Sequence, residues 1–446
     1  MTVLDFYWNF PIKIIILTTH FKQIITIMNT KAYIPTVEAI RNASVVLDEI
    51  LEMTPYRKND SLSALYDAEV YLKREDLQIV RSYKIRGAYN KIRSIAPETL
   101  KNGIVCASAG NHAQGVAFSC NKLQIMGSIY MPTTTPKQKI EQVRMFGKEY
   151  IEIVLTGDTF DAANSAAIEY ASQSGKTFIP PFDDEKIIEG QGTIGYEIER
   201  QATKMPDYIF VPIGGGGLAS GVGSYIKQVS PETKIIGVEP AGAPCMKTAI
   251  EKGQVVELET IDKFVDGAAV KKAGAKTYEI CKEVLDDIIV VPEGAVCTTI
   301  IQMYNKSAIV VEPAGALSSA ALRFYADKIK GKTVACVVSG SNNDITRMEE
   351  IREKSLLYEG LKHYFIINFP QKSGAVLSFI RDVIGPTNDL VYIQYIRKTN
   401  KESGPALIGI EVSTPDGFDE LIKRMDANGI SYEYINENNK LFEILI

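Results

Sequence analysis

The sequence predicts an α/β fold of parallel strands and helices, followed by a smaller α+β module. From about Tyr33 onward, short β-branched runs alternate with longer amphipathic stretches, a pattern typical of parallel strands joined by helices. Several runs end in glycine, serine or proline, so their carboxyl ends open into the loops where such sheets bind ligands. Near residue 361 this alternation changes. The length of 446 residues allows two or three domains.

The predicted strands of the first part are short and mostly apolar. They are the segments GIVCAS, GSIYMP, YIEIVLT, KTFIPP, YIFVPIG, KIIGVEP, DIIVVPE and TVACVVSG. The last part predicts a strand at 363–369, a helix at 375–384, strands at 391–397 and 406–413, another helix, and a strand in SYEYI. That order describes a separate βαββαβ module.

The composition favours a protein that binds a small molecule. The net charge of -5, without a long basic run, argues against nucleic acid or an anionic membrane as the partner. Only three histidines are present, so we expect no histidine-rich metal site. The six cysteines include no CxxC pair, and we therefore expect reduced thiols and a cytoplasmic protein.

The first 30 residues are apolar but do not resemble a membrane segment. The run IKIIIL is far too short to span a bilayer, and a charged start with a small-residue cleavage site is missing. We expect residues 1–33 to be an N-terminal extension that is disordered or not native. Met28 is an alternative start, and the sequence leaves that choice open.

The strongest chemical motif is PIGGGGLASG at 212–221. Four consecutive glycines follow an apolar strand and precede a helical pattern. Backbone N–H groups in such a loop can surround an anion, with the positive end of the next helix behind them. The sequence therefore predicts a phosphate site. It is neither a Walker loop nor a strict GxGxxG loop, which disfavours a nucleotide.

Two other loops carry polar side chains where a predicted strand ends. CASAGNHAQG at 106–115 places Ser108, Asn111 and His112 before an alanine-rich helix, where donors can approach a carboxylate or an aromatic ring. A simple capping turn is the alternative. VVSGSNND at 337–344 places Ser339 at the end of the last predicted strand of the sheet, and is equally compatible with a turn.

Together with SYKIRGA at 82–88, these loops resemble a known enzyme family. SYKIRGA, SAGNHAQG, GGGGL, EPAGA and SGSN resemble the fold-type II pyridoxal-phosphate enzymes, specifically the serine/threonine dehydratases, over about residues 34–345. The segments HYFIINFPQKSGAVLSFI and GPALIGIEV resemble the ACT-like regulatory domain of biosynthetic members. The resemblance implies two open twisted parallel-sheet subdomains, similar to the tryptophan synthase β chain, at 34–350. A linker at 351–362 and an ACT-like domain at 363–446 would follow.

The resemblance also implies roles for individual residues. Lys84 is expected to hold pyridoxal 5'-phosphate as a Schiff base and later to act as the general base. Asn111 is expected to hydrogen-bond the cofactor's 3-oxygen. Ser339 would face the pyridine nitrogen, where a neutral hydroxyl favours elimination over transamination. The expected phosphate contacts are Gly214, Gly215, Gly216, Gly217 and Leu218, and the expected contacts of the substrate carboxylate are Ser108, Ala109, Asn111 and His112.

The implied activity is that of a threonine ammonia-lyase. Elimination of water from L-threonine would give 2-oxobutanoate and ammonia, the first step of isoleucine biosynthesis. A serine-preferring dehydratase is an alternative, because one methyl group changes binding by only about 1 to 3 kcal/mol. An inactive amino-acid-binding regulatory protein is a second alternative, disfavoured because Lys84, Asn111 and Ser339 are all present. We expect isoleucine or valine as effectors and a homo-oligomer, either a dimer or a tetramer.

Departures from the family pattern refine this expectation. Related racemases carry a serine where this chain has Ala109, and a methyl group cannot transfer a proton, which disfavours racemisation. Racemases also bind a cation near the positions of Glu239, Ala243 and Cys245, but the last is usually acidic, so we expect no metal. Ser373 replaces a frequent proline in the regulatory module, which leaves its effector specificity open.

The remaining charged and aromatic residues receive simpler interpretations. Arg86 and the KRED run at 73–76 are expected to be surface or sheet-end charges beside the lysine loop. Glu312 is expected either to pack near the cofactor ring or to cap a helix. Tyr208 and Phe210 are expected to be core residues of a strand.

Overall fold

The computed structural model describes residues 33–396, 401–438 and 441–442. Residues 1–32, which hold most of the predicted extension and both candidate starts, lie outside the described residues. The strands are β1 (Tyr56–Lys58), β2 (Glu69–Arg74), β3 (Ile104–Ala107), β4 (Gly127–Met131), β5 (Ile151–Leu155), β6 (Thr177–Phe178), β7 (Tyr208–Pro212), β8 (Lys234–Pro240), β9 (Asp287–Val291), β10 (Thr333–Val338), β11 (Lys362–Pro370), β12 (Asn388–Tyr395), β13 (Ser403–Val412) and β14 (Tyr432–Tyr434).

The helices occupy most of the intervals between these strands. They are α1 (Val37–Leu47), α2 (Asp60–Tyr66), α3 (Lys84–Arg93), α4 (Pro97–Leu100), α5 (Asn111–Leu123), α6 (Lys137–Gly147), α7 (Phe160–Ser174), α8 (Glu185–Gln201), α9 (Gly217–Val229), α10 (Cys245–Lys252), α11 (Ala275–Val284), α12 (Glu293–Ser307), α13 (Pro313–Ala320), α14 (Ala326–Ile329), α15 (Met348–Tyr358), α16 (Ala375–Phe379) and α17 (Gly417–Ala427). Of the helices described, none is both long and apolar enough to cross a membrane.

Two parallel sheets carry the first part of the chain, in agreement with the predicted fold class. The larger sheet has the order β1-β2-β10-β7-β8-β9, and only β1 runs antiparallel to its neighbour. The smaller sheet has the order β5-β4-β3-β6 and is entirely parallel. All eight predicted strands are confirmed, and Phe210 is buried in the core of the larger sheet. Tyr208 is half-buried and packs against the same core.

The C-terminal module is the predicted βαββαβ unit. Its antiparallel sheet has the order β12-β13-β11-β14, and its apolar face packs against α16 and α17 around Phe365, Phe379 and Leu421. The helix predicted at 375–384 consists of α16 and a following π-helical turn, Ile380–Ile384.

Helix α15 connects the two parts and packs against both. On one side, Ile351 is buried in the core of the larger sheet, and the Ser355 hydroxyl lies 2.9 Å from that of Thr298 on α12. On the other side, Arg352 forms a 2.7 Å ion pair with Glu411 of β13. The predicted linker at 351–362 therefore contains much of a packed helix, while the domain limits themselves stay a prediction.

Candidate active site

The predicted site loops meet at one edge of the larger sheet. Strands β7 and β10 are parallel neighbours, so their carboxyl ends lie side by side. The glycine loop follows β7 directly, and Ser339 follows β10 directly. The loop at 108–110 follows β3 of the smaller sheet and leads into α5. The expectation that ligands bind at strand carboxyl ends is thus matched by the positions of these three loops.

Lys84 is held at this edge by backbone pairing with the Ser339 loop. The backbone N–H of Tyr83 donates to the Ser339 carbonyl over 3.2 Å, and the Ser341 N–H donates to the Arg81 carbonyl over 2.9 Å. Helix α5 packs closely on the same segment, since a Cβ on Gly115 would lie 3.1 Å from Ile85 Cα. The fold thereby brings the segments that carry Lys84, Asn111 and Ser339, which are far apart in sequence, close to one another.

The environment of Lys84 favours a reactive amine. Its Nζ donates a 2.8 Å hydrogen bond to the Pro181 carbonyl. Desolvation lowers the pKa of Lys84 to about 8, although the nearby Glu312 carboxyl opposes this change. At pH 7 about a tenth of the amine is therefore uncharged, compared with less than about a thousandth at its ordinary pKa, and the uncharged form is the one that a nucleophile or a general base requires.

The glycine loop is enclosed by side chains that leave no room for larger residues. A Cβ on Gly215 would overlap the Phe182 ring, and Gly216 has a φ of +95°. The Thr277 hydroxyl donates to the Gly215 carbonyl over 2.6 Å, which holds the loop from the opposite side. Because the first N–H groups of α9 have no intrahelical acceptor, the loop is suited to an anion. Phe182 also follows Pro181, the partner of Lys84, so one segment contacts both groups.

Asn111 belongs to a short chain of side-chain hydrogen bonds. Its Nδ2 donates to Glu312 Oε1 over 2.7 Å, and its Oδ1 accepts from Asn342 Nδ2 over 2.7 Å. Glu312 is only 4% exposed, and this burial raises its pKa to about 7. Glu312 precedes α13 without making a side-chain cap hydrogen bond, so the capping interpretation is wrong.

The side chain of His112 points into the protein. Its Nε2 lies 3.0 Å from the Ile179 carbonyl, which can only accept, so this nitrogen carries the proton. Burial, together with the charge of Lys84, lowers the pKa of His112 to about 3 and keeps the ring neutral. The Ser108 hydroxyl accepts a 3.2 Å hydrogen bond from the Gly110 N–H. For a ligand at the start of α5, the backbone N–H groups are consequently more available as donors than the His112 ring.

Arg86 is not a surface charge, and that prediction was wrong. It is 1% exposed and forms two hydrogen bonds with Glu75, at 2.7 and 2.8 Å, and one with Glu197 at 2.6 Å. Lys73, which is fully buried, pairs with the same Glu197. Two buried cations and two buried anions thus neutralise one another around Arg86, which lies on α3 two residues after Lys84.

Glu239 and Cys245 lie near the glycine loop and form hydrogen bonds with backbone groups. The Glu239 carboxylate accepts from the backbone N–H groups of Met246 and Lys247 at 2.7 and 2.8 Å, and burial raises its pKa to about 7. The Cys245 thiol donates to the Gly214 carbonyl over 3.5 Å. In the part of the chain that the structure describes, no group of three or more histidine, cysteine or acidic residues is arranged to hold a metal ion. All six cysteines are buried and free.

Several residues of the site were missed by the sequence interpretation. Pro181 and Phe182 follow β6, and the PPFDD segment was a usable signal because it begins where a predicted strand ends. Thr277 and Asn342 carried no comparable signal. Their roles depend on contacts with Gly215 and Asn111, which are distant in sequence.

Comparisons with known proteins agree with this geometry. Residues 47–340 match the family model described as pyridoxal-phosphate dependent enzyme, and residues 353–445 match the C-terminal regulatory domain of threonine dehydratase. The biosynthetic L-threonine dehydratase of Halalkalibacterium halodurans is 58% identical over 92% of this chain and 99% of its own length. That of Bacillus subtilis is 53% identical over 92% and 97%.

Solved structures resemble the chain over its catalytic part. The processed form of threonine deaminase isoform 2 from Solanum lycopersicum has a TM-score of 0.68 at 38% identity, and covers 73% of this chain and 96% of its own. Maize serine racemase has a TM-score of 0.67 at 28% identity, with coverage of 73% and 99%. The names of these two proteins give different activities, and the residues of the site described above bear on the choice between them.

Proposed function

The chain belongs to the pyridoxal-phosphate-dependent enzymes, and within them to the threonine dehydratases with a C-terminal regulatory domain, and from this we propose its reaction and site. The reaction is the deamination of L-threonine to 2-oxobutanoate and ammonia by elimination of water, the first step of isoleucine biosynthesis. The observation that carries the proposal is the proximity of Lys84, an amine of lowered pKa, to the segments that hold Asn111, Ser339 and the glycine loop.

The residues of the proposed site carry the groups that pyridoxal phosphate needs for binding. Lys84 supplies an amine for the aldehyde, and the loop of Gly214, Gly215, Gly216, Gly217 and Leu218 supplies N–H donors for the phosphate. The loop has this shape because Phe182 fills the space that a side chain on Gly215 would need. Asn111 supplies a donor for the 3-oxygen, and Ser339 supplies a hydroxyl for the pyridine nitrogen.

The substrate carboxylate binds at the start of α5. Ser108, Ala109, Asn111 and His112 are proposed to contact it, the last through its backbone N–H because its ring already donates to Ile179. The positive end of α5 adds to this attraction. A carboxylate held there positions the substrate's Cα for Lys84.

Proton transfer at Cα is assigned to Lys84. When bound, pyridoxal phosphate withdraws electrons from Cα and thereby acidifies its hydrogen. Lys84, displaced by the substrate amine and uncharged, accepts that proton. The β C–O bond breaks as the hydroxyl takes up a proton and leaves as water, so the proton that Lys84 accepts from Cα is balanced by the proton that the water carries away.

The site favours elimination rather than racemisation. Racemisation needs a second proton-transferring group on the opposite face of Cα, and the Ala109 methyl group in the substrate loop cannot serve. A neutral Ser339 hydroxyl at the pyridine nitrogen weakens the ring as an electron sink, which shortens the life of a Cα carbanion.

Control by amino acids is assigned to the C-terminal module. We propose isoleucine or valine as its effectors, L-serine as a secondary substrate, and a cytoplasmic homo-oligomer, either a dimer or a tetramer. Helix α15 supports regulatory coupling because it contacts both the core of the larger sheet and β13.

The Lys84→Ala variant tests the assignment of the amine. We expect it to lose covalent attachment of the cofactor and to release 2-oxobutanoate from threonine at least about 100-fold more slowly, since a positioned general base contributes about 10²–10⁴-fold. Absorption spectroscopy and a 2-oxo acid assay measure the two effects. Lys91→Ala, on the same helix, is the matched control and should retain both properties.

Two further measurements test substrate and effector. Initial rates with threonine and with serine should give the higher kcat/KM for threonine, and a preference for serine would support the alternative dehydratase. Isoleucine should change the rate or the saturation curve of threonine. A chain that binds no isoleucine or valine and shows unaltered kinetics would contradict the regulatory assignment.

A further inference from the structure

The hydrogen bonds around Asn111 have a direction that is fixed by a backbone carbonyl. Asn342 Nδ2 lies 2.9 Å from the Val80 carbonyl and 2.7 Å from Asn111 Oδ1. A carbonyl can only accept, so the NH2 group of Asn342 must face Val80. Both hydrogens of that NH2 group are then used, one for Val80 and one for Asn111.

This orientation determines which end of the Asn111 amide is free. Since Asn111 Oδ1 accepts from Asn342, its NH2 group is on the other side and donates to Glu312 over 2.7 Å. One hydrogen of the NH2 group remains for a further acceptor. Glu312 is also held in place, because its backbone N–H donates to the Gly340 carbonyl over 3.2 Å.

We propose that Asn342 is a positioning residue that keeps the Asn111 amide turned with its N–H toward the cofactor's 3-oxygen. This inference rests on the proposed role of Asn111 as the ligand of that oxygen. An amide has nearly the same shape after a flip of its oxygen and nitrogen, so packing alone does not select the orientation. The Val80 carbonyl selects it through Asn342 on one side of the amide, and the Glu312 carboxyl favours the same orientation on the other side.

The orientation has a consequence for the electronic state of the bound cofactor. An N–H donor facing the 3-oxygen stabilises its anionic form, whereas an oxygen facing it stabilises the O–H form as an acceptor. The two forms absorb at different wavelengths, the anionic form at the longer one. Their ratio therefore reports the orientation of Asn111 independently of catalytic rate.

The test compares two carboxylate substitutions in the same loop. In the Asn342→Asp variant an acceptor replaces the donor, so Asn111 turns its NH2 group toward position 342 and presents its oxygen to Glu312 and to the cofactor. We expect the share of the long-wavelength band to fall by at least half and the dissociation constant of pyridoxal phosphate from the apoprotein to rise about tenfold. Asn343→Asp is the matched control, because the Asn343 side chain lies in the same loop and donates to Met348 Sδ over 3.7 Å, away from Asn111. It should change neither quantity more than twofold.

Two more variants separate the possible failures. Asn342→Ala removes the donor without adding charge and should shift the band ratio in the same direction. If circular dichroism shows that Asn342→Asp is unfolded, Asn342→Ala serves as the test of the role of Asn342. If Asn111→Ala leaves the spectrum unchanged, Asn111 is not the ligand, and the proposed site fails with this inference. If Asn111→Ala shifts the spectrum but both Asn342 variants match Asn343→Asp, only the role of Asn342 is refuted. A chain that takes up no cofactor overturns both.

Discussion

Replacement of Arg86 by methionine tests the buried ion pairs beneath Lys84. Methionine keeps most of the apolar volume of the side chain but removes all three hydrogen bonds to Glu75 and Glu197. Glu75 is fully buried and Glu197 is 7% exposed, so neither carboxylate can recover its hydration. Loss of one partner from a buried pair costs about 3–5 kcal/mol of unfolding free energy. Lys73 still compensates Glu197, which places the expected loss near the lower end.

Arg93→Met is the matched comparison, because Arg93 lies on the same helix. It pairs with Glu49 over 3.0 Å, but the two side chains are 43% and 46% exposed. An exposed pair contributes about 0–1 kcal/mol. Urea unfolding followed by circular dichroism should therefore show a loss for Arg86→Met that exceeds the loss for Arg93→Met by about 2 kcal/mol or more. Equal losses of unfolding free energy in the two variants would refute the claim that the buried ion pairs of Arg86 stabilise the fold more than an exposed pair does.

Three other predictions concern the cofactor site. The rate at which the apoprotein captures pyridoxal phosphate should rise about tenfold per pH unit below pH 8 and level off above it, because only uncharged Lys84 reacts. Stopped-flow absorbance measures this rate. A midpoint near pH 10 would contradict the lowered pKa of Lys84. Gly216→Ala places a Cβ 2.6 Å from Met246 Cε and 2.8 Å from Thr277 Cβ. Such overpacking costs about 1–3 kcal/mol, so the affinity for the cofactor should fall about 5- to 150-fold. Fluorescence titration measures this affinity. Gly331→Ala, at φ +69° with no atom within 4 Å of the added Cβ, is the control and should leave that affinity unchanged. Activity should show no ionisation of His112 between pH 5 and 8, because its pKa is already lowered to about 3; if His112→Gln removes a transition from the pH–rate profile in that range, this prediction fails.

The parallel sheets were predictable because their sequence pattern is local. Each of the eight predicted strands is a short apolar run, and the structure places a strand in every one. Strands β1 and β2 were not predicted. Their sequences, YRK and EVYLKR, carry charges that a single-sequence reading assigns to the surface, although Lys73 in β2 is fully buried.

The mistaken interpretation of Arg86 has the same physical origin. A charge is exposed by default unless an opposite charge accompanies it into the interior. The partner Glu197 lies 111 residues from Arg86, on a helix that packs against α3 only in the folded chain. No local pattern around SYKIRGA contains that information.

The site was predictable where a motif carries its own chemistry, and less so where contacts decide. The glycine loop and Ser339 each follow a strand, as their sequence context indicated, and the structure makes these two strands neighbours. The motif at 106–115 did not reveal that the His112 ring faces Ile179 or that Asn342 donates to Asn111. Such orientations depend on which acceptor a tertiary contact supplies.

The pairing of β2 with β10 has a consequence for synthesis of the chain on the ribosome. The smaller sheet is built from a continuous segment, residues 104–178, and can assemble early. Strand β2 and the Lys84 segment must wait for β10 and the residues that follow it, roughly 260 residues later, or about 13–50 s at 5–20 residues per second. During that interval the buried charges of β2 lack their final surroundings. Lys84 is therefore one of the first residues of the proposed site to be made, and its surroundings are among the last parts of the two-sheet fold to be completed.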